Sequence, residues 1–311
     1  LCLFICSLQP ASQASAPPVA AVENEFSSTS WLIKRQAVTV LPSVSVLQIL
    51  RSTKPASRGS KPFIGFGDPI FDADIETRQN STSSRHPVGV LRSYGDFWKG
   101  ANVDRKMLAT ALPRLADTAD ELQAVAKTLG DQGTNLYLRE KATEANVKTF
   151  PLDQFRIVYF ATHGLVAGDV RGLAEPSLAF SLPRTASTLD DGLLTASEIS
   201  QIKLNADWVV LSACNTVAGG SPGAEALSGL AQAFFYAGSR ALLVSHWAVD
   251  SAAATKIASR TFMEFAADPQ IGKAEALRRA MLAFMLDPTQ PTNADPIYWA
   301  PFVIVGEGLR N

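Results

Sequence analysis

Apolar residues along the chain fall into short continuous runs separated by stretches with helical spacing. PFIGF (62–66), NLYL (135–138), RIVYFAT (156–162), WVVLSA (208–213), ALLVSHW (241–247) and PFVIVG (301–306) read as buried strands, and QAVTVL (36–41) as a further short one. Helices are predicted over 43–51, from Thr118 to Gly130, and near 143–149, 222–237, 251–267 and 272–286. Thr118 and Glu121 suggest a capping box before Leu122, Val125 and Leu129. Ser221 reads as an N-cap with Pro222 at the first helical position. Leu227, Leu230, Ala231 and Phe234 form the apolar stripe that follows, and Gly238 is the stop. Continuous apolar strands alternating with helices imply an α/β fold, a mainly parallel sheet covered on both faces as a three-layer α/β/α sandwich. Residues 72–105 are polar and read as a surface loop, and 165–192 as a second long loop able to act as a lid.

The chain has 311 residues, 47% of them apolar, and a formal net charge of −1. That balance argues against broad nucleic-acid binding, which needs an excess of Lys and Arg. The apolar run Leu1–Leu8 is too short to span a bilayer. With the QPASQASAPP that follows, it reads as a divergent or truncated leader over 1–29. The expected compartment is the cytoplasm, or outside it if residues 1–16 end a secretory signal. Three cysteines and three histidines are too few for a disulfide framework or a zinc cluster, so no metal is expected.

Ligands of an open parallel sheet bind beyond the carboxyl ends of its strands. Two strands end there in reactive side chains: 156–162 runs into His163-Gly164, and 208–213 into Cys214-Asn215-Thr216. An imidazole near a thiol supplies the base that makes it a nucleophile, and the N–H groups of Gly164 and Cys214 could form an oxyanion hole. Each residue also has an ordinary reading, a buried apolar cysteine and a turn histidine. Gly219-Gly220-Ser221-Pro222-Gly223 matches the serine-hydrolase elbow. However, the strand ends several residues earlier, and Pro222 lacks the N–H that such an elbow uses. His246 reads as a structural or rim residue, and His86 lies in the polar loop without a partner. Cys2 and Cys6 fall in the leader.

ATHG (161–164) followed by SACNT (212–216) resembles the CHAT domain, a caspase-like family often attached to tetratricopeptide repeats. The resemblance extends through WLIKRQAVTVLPSVSVLQILR (31–51), FIGFGDPIF (63–71), GAEALSGLAQAFFYAGSRALLVSHWAVD (223–250) and YWAPFVIVGEG (298–308). It implies a caspase-like cysteine peptidase fold over 30–311, with an N-terminal, degenerate caspase-like half to about 130 and a catalytic half after it. By that resemblance His163 is the general base, Cys214 the nucleophile, and the backbone at Gly164 an oxyanion donor. Ser212 maps onto the first specificity pocket. Relatives often carry an acidic pair after a tryptophan. Trp247-Ala248-Val249-Asp250-Ser251 keeps only the first acid, so Asp250 is a substrate-binding candidate or simply the N-cap of the next helix. The implied partner is a protein or peptide substrate, with upstream repeats in a parent protein. No cofactor is implied. The alternative is a regulatory or scaffolding module whose site is silent until a partner docks.

Overall fold

In a computed structural model, the described residues are 26–41, 59–71, 98–99, 102–103, 112–165, 173, 175–183, 185–212, 224–245, 250–268 and 270–308. Twelve strands occur among them. β1 (Thr39–Val40), β2 (Lys61–Gly67), β5 (Leu136–Leu138), β6 (Phe155–Ala161), β10 (Trp208–Leu211), β11 (Ala241–Ser245) and β12 (Phe302–Gly306) form one sheet in the order β1-β12-β11-β10-β6-β2-β5. Its pairs are parallel except β11 with β12. A hairpin, β3 (Trp98–Lys99) with β4 (Asn102–Val103), lies within the stretch expected to be loop.

Helices cover both faces. On one side α1 (Asp117–Thr128), α5 (Ser251–Ala267) and α6 (Lys273–Met285) bury Leu122, Val125, Ile257, Phe262, Leu277 and Met281 against Phe63, Tyr159, Trp208 and Leu243. On the other, α2 (Glu144–Thr149), α3 (Ala196–Ile199) and α4 (Ala224–Ala237) bury Val147, Ile199, Leu230 and Phe234 against Phe66, Val158, Phe160 and Val209. Alternate residues of one strand thus feed two separate cores, which is why the strands read as unbroken apolar runs. A last short helix, α7 (Pro296–Trp299), precedes β12. The mixed α/β architecture with a mostly parallel sheet and two helical layers agrees with the sequence reading.

Helix ends follow local chemistry. Gly130 (φ +76°) follows α1, and Gly238 (φ +112°) ends α4 against the Leu204 carbonyl, both in a region closed to most side chains. Asp250 caps α5 by accepting from the Ala253 N–H at 3.0 Å. The expected capping box at Thr118 and Glu121 does not form. α1 starts from Ala116 without a side-chain cap, the Thr118 hydroxyl serves the backbone of Leu115 and Asp68, and Glu121 turns into the core. The 165–192 stretch also departs from a plain loop. β7 (Gly164–Leu165), β8 (Ser177–Ala179) and β9 (Leu193–Thr195) make a small antiparallel sheet beside the ends of the main strands. The expected helix at 43–51 lies outside the described residues, as do Cys2, Cys6, His86, Cys214, Ser221, Leu227's side chain and His246.

Candidate active site

Register sets the site. Phe66 lies opposite Phe160, and Phe160 opposite Leu211, so β2, β6 and β10 end at one level of the sheet. The Ser212 N–H continues the ladder to the Phe160 carbonyl at 3.0 Å. Asp68, His163 and Ser212 therefore stand side by side along one sheet edge.

His163 is only 2% exposed. Its Nε2 is 2.7 Å from the carbonyl oxygen of Pro113, in the segment leading into α1. A carbonyl only accepts, so Nε2 carries the hydrogen and Nδ1 presents its lone pair. Nδ1 has no hydrogen-bond partner among the described residues. Burial lowers the pKa of the imidazole, opposed by the Pro113 contact, which favours the neutral form that can take a proton. The Phe71 ring, 5.7 Å away centroid to centroid, covers one side of the imidazole, and the backbone of His163 is tied to β8 through the Ala179 N–H at 2.9 Å. The result is an anchored ring whose Nδ1 has no partner among the described residues.

Beside it, the Ser212 hydroxyl donates to Glu121 Oε2 at 3.2 Å, and the buried Tyr159 hydroxyl donates to Glu121 Oε1. Glu121 is 3% exposed with no cation in its network among the described residues, and burial pushes its carboxyl up to about 7 despite the two donors. Burial likewise raises Tyr159 well above its usual value, so it remains a donor. Both His163 and Ser212 thus face the start of α1, one through Pro113 and the other through Glu121.

The CHAT-domain family model matches residues 8–307. The chain belongs to the CHAT family. No curated protein matches the sequence. Among solved structures, this CHAT chain is similar to the Arg-specific cysteine proteinase gingipain R (RgpB) at 13% identity and a TM-score of 0.39. The alignment covers 61% of this chain and 42% of that one. It is also similar to a complex of the pro- and mature domains of RgpB of Porphyromonas gingivalis, at 12% identity and a TM-score of 0.37, covering 60% and 42%. The chain thus spans less than half the length of these matches.

Within the CHAT chain, the structure brings His163 and Ser212 onto one sheet edge, with His163 against the segment that leads into α1 and Ser212 against α1 itself. Gly164 begins β7, paired with Leu178. Asp250 is an exposed helix cap, whose side chain faces Ala253 N. Cys214 lies outside the described residues. Pro113, Phe71, Glu121 and Tyr159 are site residues that sequence reasoning missed. Glu121 alone left a signal: a carboxylate on the apolar stripe it shares with Leu122 and Val125. No helix among the described residues is long and apolar enough to cross a membrane.

Proposed function

We propose that this CHAT chain is a caspase-like cysteine endopeptidase in which Cys214 and His163 cleave a protein partner through an acyl-enzyme. One observation carries the reading: Leu211 is opposite Phe160, and Cys214 and His163 each follow three residues later in the sequence. His163 arrives at that level with Nε2–H anchored and with Nδ1 unpartnered among the described residues.

In this mechanism Nδ1 takes the thiol proton and the thiolate attacks the scissile carbonyl. Charge developing on that oxygen falls on the N–H groups of Gly164 and Cys214. Collapse of the tetrahedral intermediate expels the amine, which takes its proton from the imidazolium. Water, deprotonated by the same nitrogen, then hydrolyses the thioester and restores the thiol. Ser212 lines the first specificity pocket, and Asp250 serves substrate from its rim. The reading needs neither metal nor cofactor. A survey of new protein N-termini, comparing host lysate treated with the wild-type chain and with Cys214→Ala, tests the reading. Cleavages made only by the wild type are expected; identical N-termini from both would contradict it.

A second reading, a site silent until a partner docks, is favoured by the burial of the His163 ring to 2% exposure. In that case cleavage appears only after a partner or upstream repeats are added.

A further inference from the structure

We propose that Asp68 and Arg114 form a strut that positions the His163 base through the backbone of Pro113. This rests on the reading of His163 as a base, and it concerns two residues outside the reacting set.

The carbonyl that anchors His163 belongs to the Pro113–Arg114 peptide unit, so its placement depends on where the Arg114 Cα is held. Arg114 is held by a two-point fork: Nε donates to Asp68 Oδ1 at 2.8 Å and Nη2 to Oδ2 at 2.7 Å. Two parallel charge-assisted bonds fix orientation as well as distance, which a single point charge does not.

The Asp68 end is rigid in turn. Its side chain is 3% exposed. Its N–H donates to Thr118 Oγ1 at 2.9 Å, while that hydroxyl donates to the Leu115 carbonyl at 2.6 Å. Its own carbonyl accepts from the Arg139 N–H at 3.1 Å. Asp68 has φ +49°, a left-handed conformation that aspartate tolerates better than most residues, at the end of β2. Residues 114, 115 and 118 are therefore all referred to one point on the sheet, the strand end beside the one that carries His163. The strut makes the acceptor part of the same rigid edge as the ring it orients. An exposed loop carbonyl without such ties would wander relative to the imidazole, and misplacement on the order of 1 Å costs catalysis roughly 100-fold. Stability alone does not require a buried carboxylate at this point, since a well-packed apolar contact serves as well as an ion pair.

The test reads the histidine directly. The chain has three histidines, so 15N-histidine labelling with His86→Gln and His246→Gln spectra assigns His163. The wild type is expected as a single Nε2–H tautomer. Arg114→Lys keeps the charge but loses the fork, and Asp68→Asn keeps the shape but loses the charge. Both are expected to give a mixture of tautomers and to slow alkylation of Cys214 by iodoacetamide roughly tenfold or more. Arg114 is about one-third exposed, so its lysine variant retains the fold. Arg156→Met removes another short ion pair, to Asp207 at 2.9 Å near the start of β6, and is expected to leave the His163 spectrum unchanged. A folded Arg114→Lys protein with the wild-type tautomer and alkylation rate overturns the strut. That result leaves the peptidase reading standing, whereas absent proteolysis with a shifted tautomer sinks only the peptidase reading.

Discussion

Ser212 and Glu121 are 91 residues apart in sequence, yet the Ser212 hydroxyl donates to the Glu121 carboxyl at 3.2 Å. The contact ties the end of β10, two residues before Cys214, to a helix on the far side of two strand crossovers. It also buries a carboxyl whose pKa is pushed up to about 7. The native state then binds a proton that the unfolded chain releases near its ordinary 4.5. Stability from this group is full below about 4.5 and declines as pH rises toward 7, by about 3 kcal/mol in all. Urea denaturation at pH 5 and pH 8 checks this. Glu121→Gln is expected to lose the Glu121 share of that difference. Burial raises Glu144 in the same window, so part of the slope remains in the variant. Equal slopes in both proteins would remove Glu121 as its source.

His163 acts in the opposite sense. Its pKa is lowered by burial, so the unfolded state takes up a proton first as pH falls below about 6.5. Stability from keeping the ring neutral is present above that value and lost as pH falls through the lower native pKa. His163→Asn is expected to flatten the acid limb of the stability curve and to abolish activity. The comparison is made by thermal denaturation between pH 5 and pH 7.5.

Glu144 holds the far end of the 165–192 stretch. Its Oε2 accepts the N–H groups of Asp191 at 2.7 Å and Gly192 at 2.8 Å, and Lys148 closes an ion pair on its other oxygen. Truncation to alanine leaves two buried backbone donors without an acceptor while Lys148 keeps its ion pair with Glu198, a cost of about 2–4 kcal/mol. Native-state hydrogen exchange is expected to quicken at Asp191 and Gly192 by at least tenfold, with α5 and α6 little changed.

Gly67, at the end of β2, packs directly under Leu122 of α1. A Cβ there would lie 2.5 Å from Leu122 Cδ1 and 3.1 Å from the Ala161 carbonyl oxygen. Gly67→Ala is expected to cost about 1–3 kcal/mol through overpacking. Because α1 carries Glu121 and follows Pro113, activity should fall by more than stability alone explains. Denaturation midpoints and peptide cleavage rates measured on one preparation separate the two effects.

Much of this architecture is legible from pattern. Runs such as IVYFA (157–161) and WVVL (208–211) are apolar at every position because alternate residues enter different cores. Gly130, Gly238 and Asp250 mark helix ends by conformational or capping chemistry that acts within a few residues. What escaped is long-range or carried by backbone. The strands β7 to β9 have two or three residues each, too few to establish a period. Thr118 and Glu121 have the spacing of a capping box, but the hydroxyls of Tyr159 and Ser212 give the carboxyl a buried use that local pattern does not encode. The Pro113 carbonyl leaves no mark in composition at all, since every residue carries such a group. His163 was readable as a candidate because a strand ran into it; its tautomer was not.

The peptidase account is tested most directly by mapping where a peptidyl acyloxymethyl ketone attaches. Intact mass and peptide sequencing should find one adduct, on Cys214, lost in Cys214→Ala and slowed roughly 100-fold or more in His163→Ala. Adducts that persist in Cys214→Ala, or form at the wild-type rate without His163, would contradict it.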